Sequence, residues 1–403
     1  MVESSPSNKK EYPGKGFVAS LAFTFFATGK LDILVSLFLV DIAATFLGST
    51  DQTAIGIASR LLVFESAVAL IFGLLSSVLS VRFKHKSLLL FGSLCITVGT
   101  LGCFLAPNFI FLQIFYPLDG AGTIIVGAMA LALIGNFLPL KKRAKAISWV
   151  VASGLMASAI GFPVAGLIGG TWGWRSFLLW YVLPVSITAS ILAYFGIPKT
   201  KIQQTSITKD AYLSSFKQVF ANKSAAACLL GNTFISAATV WSAFAPTFWR
   251  QQFLVSVQIV TVITFVVLLF YIAGSLVGGP LVNKLGRKRY VVLSYFLRGL
   301  LIPAILFMPD FWTALAMSFL STFVGGSAIT AGRSLSLEQA PKSRGTMMSM
   351  DSVFWSLGGT IGAAAGGVVL SELGYQILGV AFGVFAILAS FVILLIAKDP
   401  HAP

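Results

Sequence analysis

Charged side chains are scarce in this chain. Asp, Glu, Lys and Arg together make up 10% of its 403 residues, whereas a soluble domain carries about 25%. Hydrophobic residues make up 57%, and the mean hydropathy is +0.91. A soluble protein of this length needs more charged residues than this on its hydrated surface. The composition therefore predicts an integral membrane protein.

The residues that many enzymes and metal sites need are scarce as well. There are two histidines, His85 and His401, and three cysteines, Cys95, Cys103 and Cys228, which lie in apolar segments without metal-ligand or disulfide spacing. The sequence contains no glycine-rich phosphate-binding loop of the nucleotide-hydrolase kind. We therefore expect no enzyme, no bound cofactor and no metal, and an ion gradient rather than ATP as the source of energy.

The charge that is present is mostly positive, with a net charge of +15. It is divided among short clusters between apolar runs and forms no single basic face, which argues against nucleic acid as a partner. Lys and Arg are concentrated in the connections 82–86, 140–145, 197–225, 283–289 and 340–344. Almost none occur, Arg250 excepted, in the connections 48–53, 107–108, 170–174, 249–253, 309–310 and 372–373. This alternation predicts a multi-pass protein of the plasma membrane with both termini in the cytoplasm.

Twelve apolar runs are long enough to cross a bilayer. They cover about residues 17–40, 54–79, 87–106, 109–138, 145–169, 175–196, 226–248, 255–282, 290–308, 311–337, 346–371 and 374–397. The longest connection divides them six and six, and its later residues have the pattern of a short amphipathic helix on the membrane surface. We predict an all-α integral membrane protein with a tail at 1–16, a six-helix bundle at 17–196, a linker at 197–225, a second bundle at 226–397 and a tail at 398–403.

The two halves of the chain resemble each other in sequence. Residues 77–86 align with 279–288 at an offset of 202, and residues 139–143 align with 341–344 at offsets of 202 and 201. A common offset near half the chain length indicates two parallel repeats. The twelve predicted helices thus form two pseudo-symmetric six-helix bundles.

A very short basic turn at 279–289 joins two of the apolar runs. Its glycines permit a tight reversal, and its cations favour the cytoplasmic side. This turn resembles the loop motif that major facilitator superfamily transporters carry between helices two and three and again between helices eight and nine. The resemblance covers about residues 17–397, and it implies gating residues at Arg82 in the first copy and at Gly279, Asn283, Gly286, Arg287 and Lys288 in the second.

Other patterns resemble the twelve-helix drug:proton antiporter branch of that superfamily. Its fifth-helix motif is matched by Gly161, Pro163 and Gly166, and the segment around Asp32 is similar to its first helix. The chain departs from the pattern at the two loop acids, which are replaced by Val81 and Asn283, and at the fourth-helix arginine, where Tyr116 stands. The resemblance implies proton-coupled antiport, although these departures remove the usual loop acids and that arginine.

Charged residues inside the predicted spans are the candidates for function, because a charge at mid-bilayer costs about 2.5–3.5 kcal/mol on insertion scales. The candidate proton carriers are Asp32, Glu65 and Asp119. The candidate substrate contacts are Arg60, Lys30, Asn232, Trp241, Phe244 and Asp351, while Arg298 and Arg333 are further charges within the spans. Some of these charges could instead be ion pairs between helices, with Asp32 and Arg60 as the favoured pair. Asp41 and Asp51 are expected to be solvated at the outer surface.

These features together predict a secondary transporter that works by alternating access, as a monomer, with protons, a small-molecule substrate and the lipid bilayer as its partners. The favoured activity is proton-coupled export of a small organic or amphipathic solute. One alternative is uptake or exchange of an anionic or zwitterionic metabolite bound through Arg60. Another is a non-transporting receptor or scaffold on the same fold.

The predicted topology can be tested by labelling. In a background without native cysteines, Thr205→Cys should react with an impermeant maleimide only after the cells are opened, because the basic linker stays inside. Ser49→Cys, in a connection without basic residues, should react in intact cells. Labelling of position 205 from outside would overturn the topology.

Overall fold

The computed structural model describes residues 16–198, 219–340 and 344–399, and these ranges contain helices and no β-strand. We number the membrane crossings span 1 to span 12. Spans 1 to 4 are Phe17–Phe26 with Lys30–Leu47, Gln52–Ala58 with Arg60–Arg82, His85–Leu105, and Phe109–Phe115 with Pro117–Phe137. Span 5 is Leu140–Val164 continued by Ala165–Gly169 and Gly170–Trp172, and span 6 is Trp174–Phe177 continued by Leu178–Val182 and Leu183–Phe195. Spans 7 to 10 are Lys223–Thr239 with Trp241–Gln252, Val257–Leu285, Arg287–Phe307 and Phe311–Gln339, and spans 11 and 12 share Arg344–Ile396.

The number of membrane crossings, twelve, depends on two glycines that interrupt helices. In the described ranges, ten helical segments are long and apolar enough to cross a membrane. The last has 51 residues, so it would be about 75 Å long, against about 30 Å of hydrocarbon. Gly374 (φ +78°) divides it into two spans. Span 1 is divided at Gly29 into helices of 10 and 18 residues, which cross the membrane only together. The predicted all-α membrane fold is confirmed.

The helices pack in two groups that follow the order of the chain. Spans 1 to 6 form one half and spans 7 to 12 form the other, and the halves meet where spans 1, 2 and 5 face spans 7, 8 and 11. Small residues permit this approach, since a Cβ added at Gly56 in span 2 would lie 2.6 Å from the carbonyl oxygen of Gly367 in span 11. The two predicted six-helix halves are therefore present.

Some predicted boundaries differ from those of the structure. Span 1 runs to Leu47, beyond the predicted end at 40, and stops at Gly48, whose φ of +69° ends the helix. The first helix of the second half begins at Lys223, before the predicted start of that bundle at 226. The predicted amphipathic helix in the linker falls mainly on residues 199–218, which lie outside the described residues, so it stays a prediction.

The fifth-helix motif lies where the two halves touch. Pro163 has no N–H to donate, and the residues that follow it form a π-helix at Ala165–Gly169. Gly161 faces the side chain of Ile33 in span 1. A Cβ at Gly166 would lie 2.7 Å from Oγ1 of Thr261 in span 8. The two glycines therefore let span 5 pack closely against a neighbour in its own half and against the opposite half.

The basic turn between spans 8 and 9 consists of Gly286, with φ +82° and ψ +141°. A residue with a side chain is strained there by about 1–3 kcal/mol. The backbone N–H of Lys288 donates a hydrogen bond to the carboxylate of Asp399 at 3.2 Å. An acid from the end of the chain therefore sits at the N-terminus of span 9, where the helix dipole favours a negative charge.

The other predicted gating residues lie at the same ends of the spans. Gly279 and Arg287 belong to spans 8 and 9, and Arg82 is exposed at the end of span 2. The side chain of Asn283 lies outside the described part of the chain.

We expect Gly286→Leu to slow transport and to leave substrate affinity within about threefold, or roughly 0.7 kcal/mol. The leucine side chain strains a turn that we expect to move when the two halves move. Gly286 does not line the central cavity, so the substrate contacts stay intact. Gly135→Leu in span 4 is the matched control, because no atom lies within 4 Å of a Cβ at that position. Transport rates and equilibrium binding of the same solute should be measured together. A large loss of affinity with an unchanged turnover rate would contradict this role.

Candidate functional site

A cavity of about 680 Å³ lies between the two halves. Spans 1, 2, 4 and 5 form its first wall, and spans 7 to 11 form its second wall. Its size is that of a small-molecule site, which is typically about 300–1,000 Å³. Asp32 and Glu65 bring acidic groups to the first wall, and Arg298 brings a basic group to the second.

Span 1 breaks beside this cavity. Gly29 has φ +67°, which glycine adopts at little cost, and its N–H donates to Oγ1 of Thr123 in span 4 at 3.3 Å. The ammonium group of Lys30 donates to the carbonyl oxygen of Phe26 and lies 4.0 Å from the centre of the Phe26 ring. Lys30 thus balances the negative end of the first half-helix. Asp32 falls in the first turn of the second half-helix, where the dipole favours a carboxylate.

The carboxyl groups of Asp32 and Glu65 meet on the first wall. Their side chains lie within hydrogen-bonding reach of each other. The hydroxyl of Tyr116 is close to Glu65 and donates to the carbonyl oxygen of Leu31 at 3.4 Å. Asp32 is exposed to the cavity, whereas Glu65 is 8% exposed. Two ionised carboxylates only accept hydrogen bonds, so a bond between them requires a proton on the pair. This pair of predicted residues is therefore a group that can take up and release a proton.

Asp119 and Lys30 lie behind the first wall and are not part of the cavity lining. Both side chains are fully buried, and neither carboxyl oxygen of Asp119 has a hydrogen-bond partner. Asp119 interacts electrostatically with Asp32 and with Lys30. A buried carboxylate without hydrogen bonds is costly, so this group has to carry a proton or be balanced by the nearby ammonium.

Three predicted substrate contacts are also not part of the cavity lining. The amide of Asn232 donates to Asp351 and, at 3.2 Å, to Oγ of Ser336, so it satisfies a buried carboxylate. Phe244 is fully buried and packs on Phe382 with ring centres 5.9 Å apart. These side chains tie the helices of the second half together.

Arg60 lies outside the central cavity as well. Its side chain is exposed and lines a separate groove of about 400 Å³ between spans 2 and 11. Five positions along a helix correspond to a rotation of about 140°, so Arg60 and Glu65 point to different sides of span 2. The favoured ion pair between Asp32 and Arg60 is wrong, because the partner of Asp32 is Glu65.

The second wall is aromatic and carries a charge to which the sequence analysis assigned no role. Trp241, a predicted contact, lines this wall with Trp249 and with Tyr271 of span 8. Arg298 reaches the cavity from the middle of span 9, is 7% exposed, and leaves Nε and Nη1 without a hydrogen-bond acceptor. The position of Arg298 in the middle of a span could have identified it as a candidate, because the acids of the first half were selected by the same criterion.

Polar contacts join the halves at one end of the cavity. Arg250 of span 7 forms a two-pronged ion pair with Asp41 of span 1. Gln251 donates to the carbonyl oxygen of Thr50 at 2.5 Å. Further hydrogen bonds at this end join Gln258 to Gly170 and Thr53 to Ser371. The expectation that Asp41 is merely solvated was wrong, and Arg250, the basic exception among these connections, is its partner.

The closed end lies beside the connections that lack Lys and Arg. Asp51 is at this end too, where its carboxylate accepts a hydrogen bond from the N–H of Ala54 at 2.7 Å and caps the first helix of span 2. With the predicted topology, this closed end of the cavity faces the outside.

Two six-helix halves that enclose a cavity closed at one end are the architecture of membrane transporters that work by alternating access. The family model of the Major Facilitator Superfamily matches residues 17–253 and 232–403. The chain belongs to this superfamily, whose members are transporters and not enzymes.

The chain is similar to several bacterial proteins of the same family. It is 24% identical to the uncharacterized MFS-type transporter YceJ of Bacillus subtilis, over 79% of this chain and 80% of that protein. It is 24% identical to multidrug resistance protein 2 of Bacillus subtilis, over 72% and 73% of the two chains. It is also 24% identical to the probable sugar efflux transporter of Pasteurella multocida, over 68% and 66%. Two other Bacillus subtilis relatives are matched over 36% and 37% of their own length.

Solved structures resemble the whole chain. A D-xylose-proton symporter superposes with a TM-score of 0.78 at 14% identity, covering 95% of this chain and 97% of that one. A bacterial homologue of the human lysosomal transporter Spinster superposes with a TM-score of 0.73 at 16% identity, covering 96% and 98%. At such identities the likeness confirms the fold alone.

We expect the ion pair of Arg250 with Asp41 to hold the outer end closed. Arg250→Gln or Asp41→Asn should weaken closure by up to about 1 kcal/mol, as for other partly exposed ion pairs, and shift the ratio of closed to open molecules by up to about fivefold. Spin labels at positions 107 and 309, one in each half, would report the populations as distance distributions. The charge-swapped double variant should restore closure. Unchanged distributions in both single variants would show that the pair is not a latch.

Proposed function

We propose that this protein exports a small organic or amphipathic solute by proton-coupled alternating access. The observation that carries the proposal is the hydrogen-bonded carboxyl pair of Asp32 and Glu65 on the wall of the central cavity. A group that binds one proton in a cavity between two movable halves has the chemistry that coupling to a proton gradient requires. The cavity volume of about 680 Å³ suits an organic solute.

The coupling follows from electrostatic repulsion within the pair. When the proton leaves, two negative charges face each other across spans 1 and 2 in a poorly hydrated site, where like charges repel strongly. Lys30 interacts electrostatically with Asp119, and Asp119 interacts with Asp32. Both groups therefore respond to a change of charge on the pair. Because spans 1 and 2 also contact the second half, protonation of the pair changes the energy of the interface on which the halves move.

Export is supported by the names of relatives. The multidrug resistance protein of Bacillus subtilis and the probable sugar efflux transporter of Pasteurella multocida are similar over about two thirds or more of this chain.

The main alternative is uptake or exchange of an anionic or zwitterionic metabolite. Arg60 no longer supports that alternative, because it lies in a separate groove. Arg298, in the cavity wall, supports an anionic solute in either direction of transport.

Neutral variants of the acids test the coupling. Asp32→Asn and Glu65→Gln should abolish accumulation driven by a pH gradient in proteoliposomes, and should partly preserve downhill exchange, because both retain the shape of the site. Glu372→Gln, at an exposed position in the connection between spans 11 and 12, is the matched control. Suitable probes are ethidium, 2-naphthoate and D-xylose, which differ in charge.

Two outcomes contradict the proposal. One is a wild-type protein that concentrates none of the three probes under either orientation of the gradient, which would favour a receptor or scaffold. The other is accumulation with wild-type pH dependence in both neutral variants and in the double variant. The coupling group would then have to be sought at Asp119 or Asp351.

A further inference from the structure

Among the residues that the structure describes, Arg298 is a buried cation without an anionic partner. Its side chain is 7% exposed, and its Nε and Nη1 atoms donate to no acceptor. The groups that act on it electrostatically are the phenols of Tyr271 and Tyr295. A guanidinium remains ionised in proteins, so this charge persists inside the membrane. A buried charge that is neither paired nor hydrogen-bonded is strongly unfavourable, so the site is electrostatically incomplete.

Other carboxylates of the second half have their own partners. Asp351 accepts a hydrogen bond from Asn232 and lies near Arg333. The acids of the first wall, Asp32 and Glu65, are bonded to each other. None of these three carboxylates is left to pair with Arg298, and the cavity that Arg298 lines is the route by which an external anion can reach it.

The guanidinium of Arg298 lies against the backbone of span 10, beside the cavity that Arg298 lines. A Cβ at Gly325 of span 10 would lie 2.7 Å from Nη1 and 2.9 Å from Cζ of Arg298, so glycine makes room for the group. Ser318, Ser321 and Thr322 line the cavity from the same span. Positions three, four and seven apart share one helix face, so these hydroxyls and Gly325 lie on the same side of span 10. A planar guanidinium beside hydroxyl donors is the chemistry that recognises a carboxylate.

We infer that Arg298 binds an anionic group of the transported solute, a carboxylate, in the central cavity. The apolar body of the solute then lies along Trp241 and Trp249 of the same wall. This inference rests on the proposed transport function and narrows its substrate to organic acids.

Equilibrium binding to the purified full-length protein in phosphatidylcholine nanodiscs tests the site. The probes are 2-naphthoate, 2-naphthamide and 2-naphthylmethylammonium, which share one apolar body and differ in charge. Wild-type protein should bind the carboxylate at least tenfold more tightly than the amide, a difference of about 1.4 kcal/mol. Arg298→Gln should remove that preference, and Arg298→Lys should keep part of it, because it retains the charge without the planar fork.

Two further variants separate position from charge. Gly325→Ala keeps the arginine and displaces the end of its flexible side chain, so the preference for 2-naphthoate should fall about threefold or more. Arg60→Gln removes the arginine that the sequence analysis assigned to an anion, and the preference should stay within about twofold of wild type. These magnitudes are those expected for a bidentate charged contact at one site only.

The stability of the empty protein distinguishes a binding role from a structural one. Removing an unpaired buried charge should leave the melting temperature of Arg298→Gln equal to or above that of wild type, whereas losing a structural partner should lower it. The inference is overturned if wild-type protein does not prefer 2-naphthoate to 2-naphthamide, or if Arg298→Gln keeps the preference. Because binding needs no gradient, binding without gradient-driven accumulation would refute the proposed coupling and leave this site standing.

Discussion

The bilayer core offers no water to an ion, and this constraint decides where the charges of this protein can lie. Asp32 shares a hydrogen bond with Glu65 at the cavity, and Asp41 meets Arg250 where the two halves close. Each of these groups gains a partner from another helix, so satisfying the charges also holds helices in place. Arg298 is the contrast, since the described residues supply no acceptor for its Nε or Nη1. A charge that the fold leaves unsatisfied indicates what the cavity binds.

Much of the fold could be predicted from the sequence, because the bilayer imposes length, hydropathy and loop charge on each span separately. Contacts between spans are different. Asp41 and Arg250 are 209 residues apart, and no periodicity of either helix shows that they meet. The break in span 1 depends on one of 38 glycines, and only the packing around Gly29 distinguishes it from the others. Arg298 was recognised as a charge in mid-span, but its access to the cavity depends on Gly325 in a different helix.

The two walls of the cavity carry groups of different chemistry. The first wall carries the acidic pair of Asp32 and Glu65, and the second carries aromatic rings and the cation of Arg298. In the proposed mechanism, proton binding and solute binding use helices on opposite walls of the cavity, and the two ligands interact through the electric field between these walls. Negative charge on the solute and negative charge on the acidic pair are mutually unfavourable.

Span 1 connects this chemistry to the movement of the halves. Its backbone departs from helical geometry at Gly29 and again at Phe38 (φ −113°, ψ +18°), and Asp32 lies between these positions. Kinked positions absorb rotation at lower cost than a continuous helix, because the hydrogen-bond ladder is already interrupted there. The short segment around Asp32 is thus bounded by two irregular positions, with Asp41 and the outer ion pair beyond the second. In the proposed mechanism, a change of charge at the acidic pair acts on this segment of span 1, and Phe38 lies between the segment and the outer ion pair.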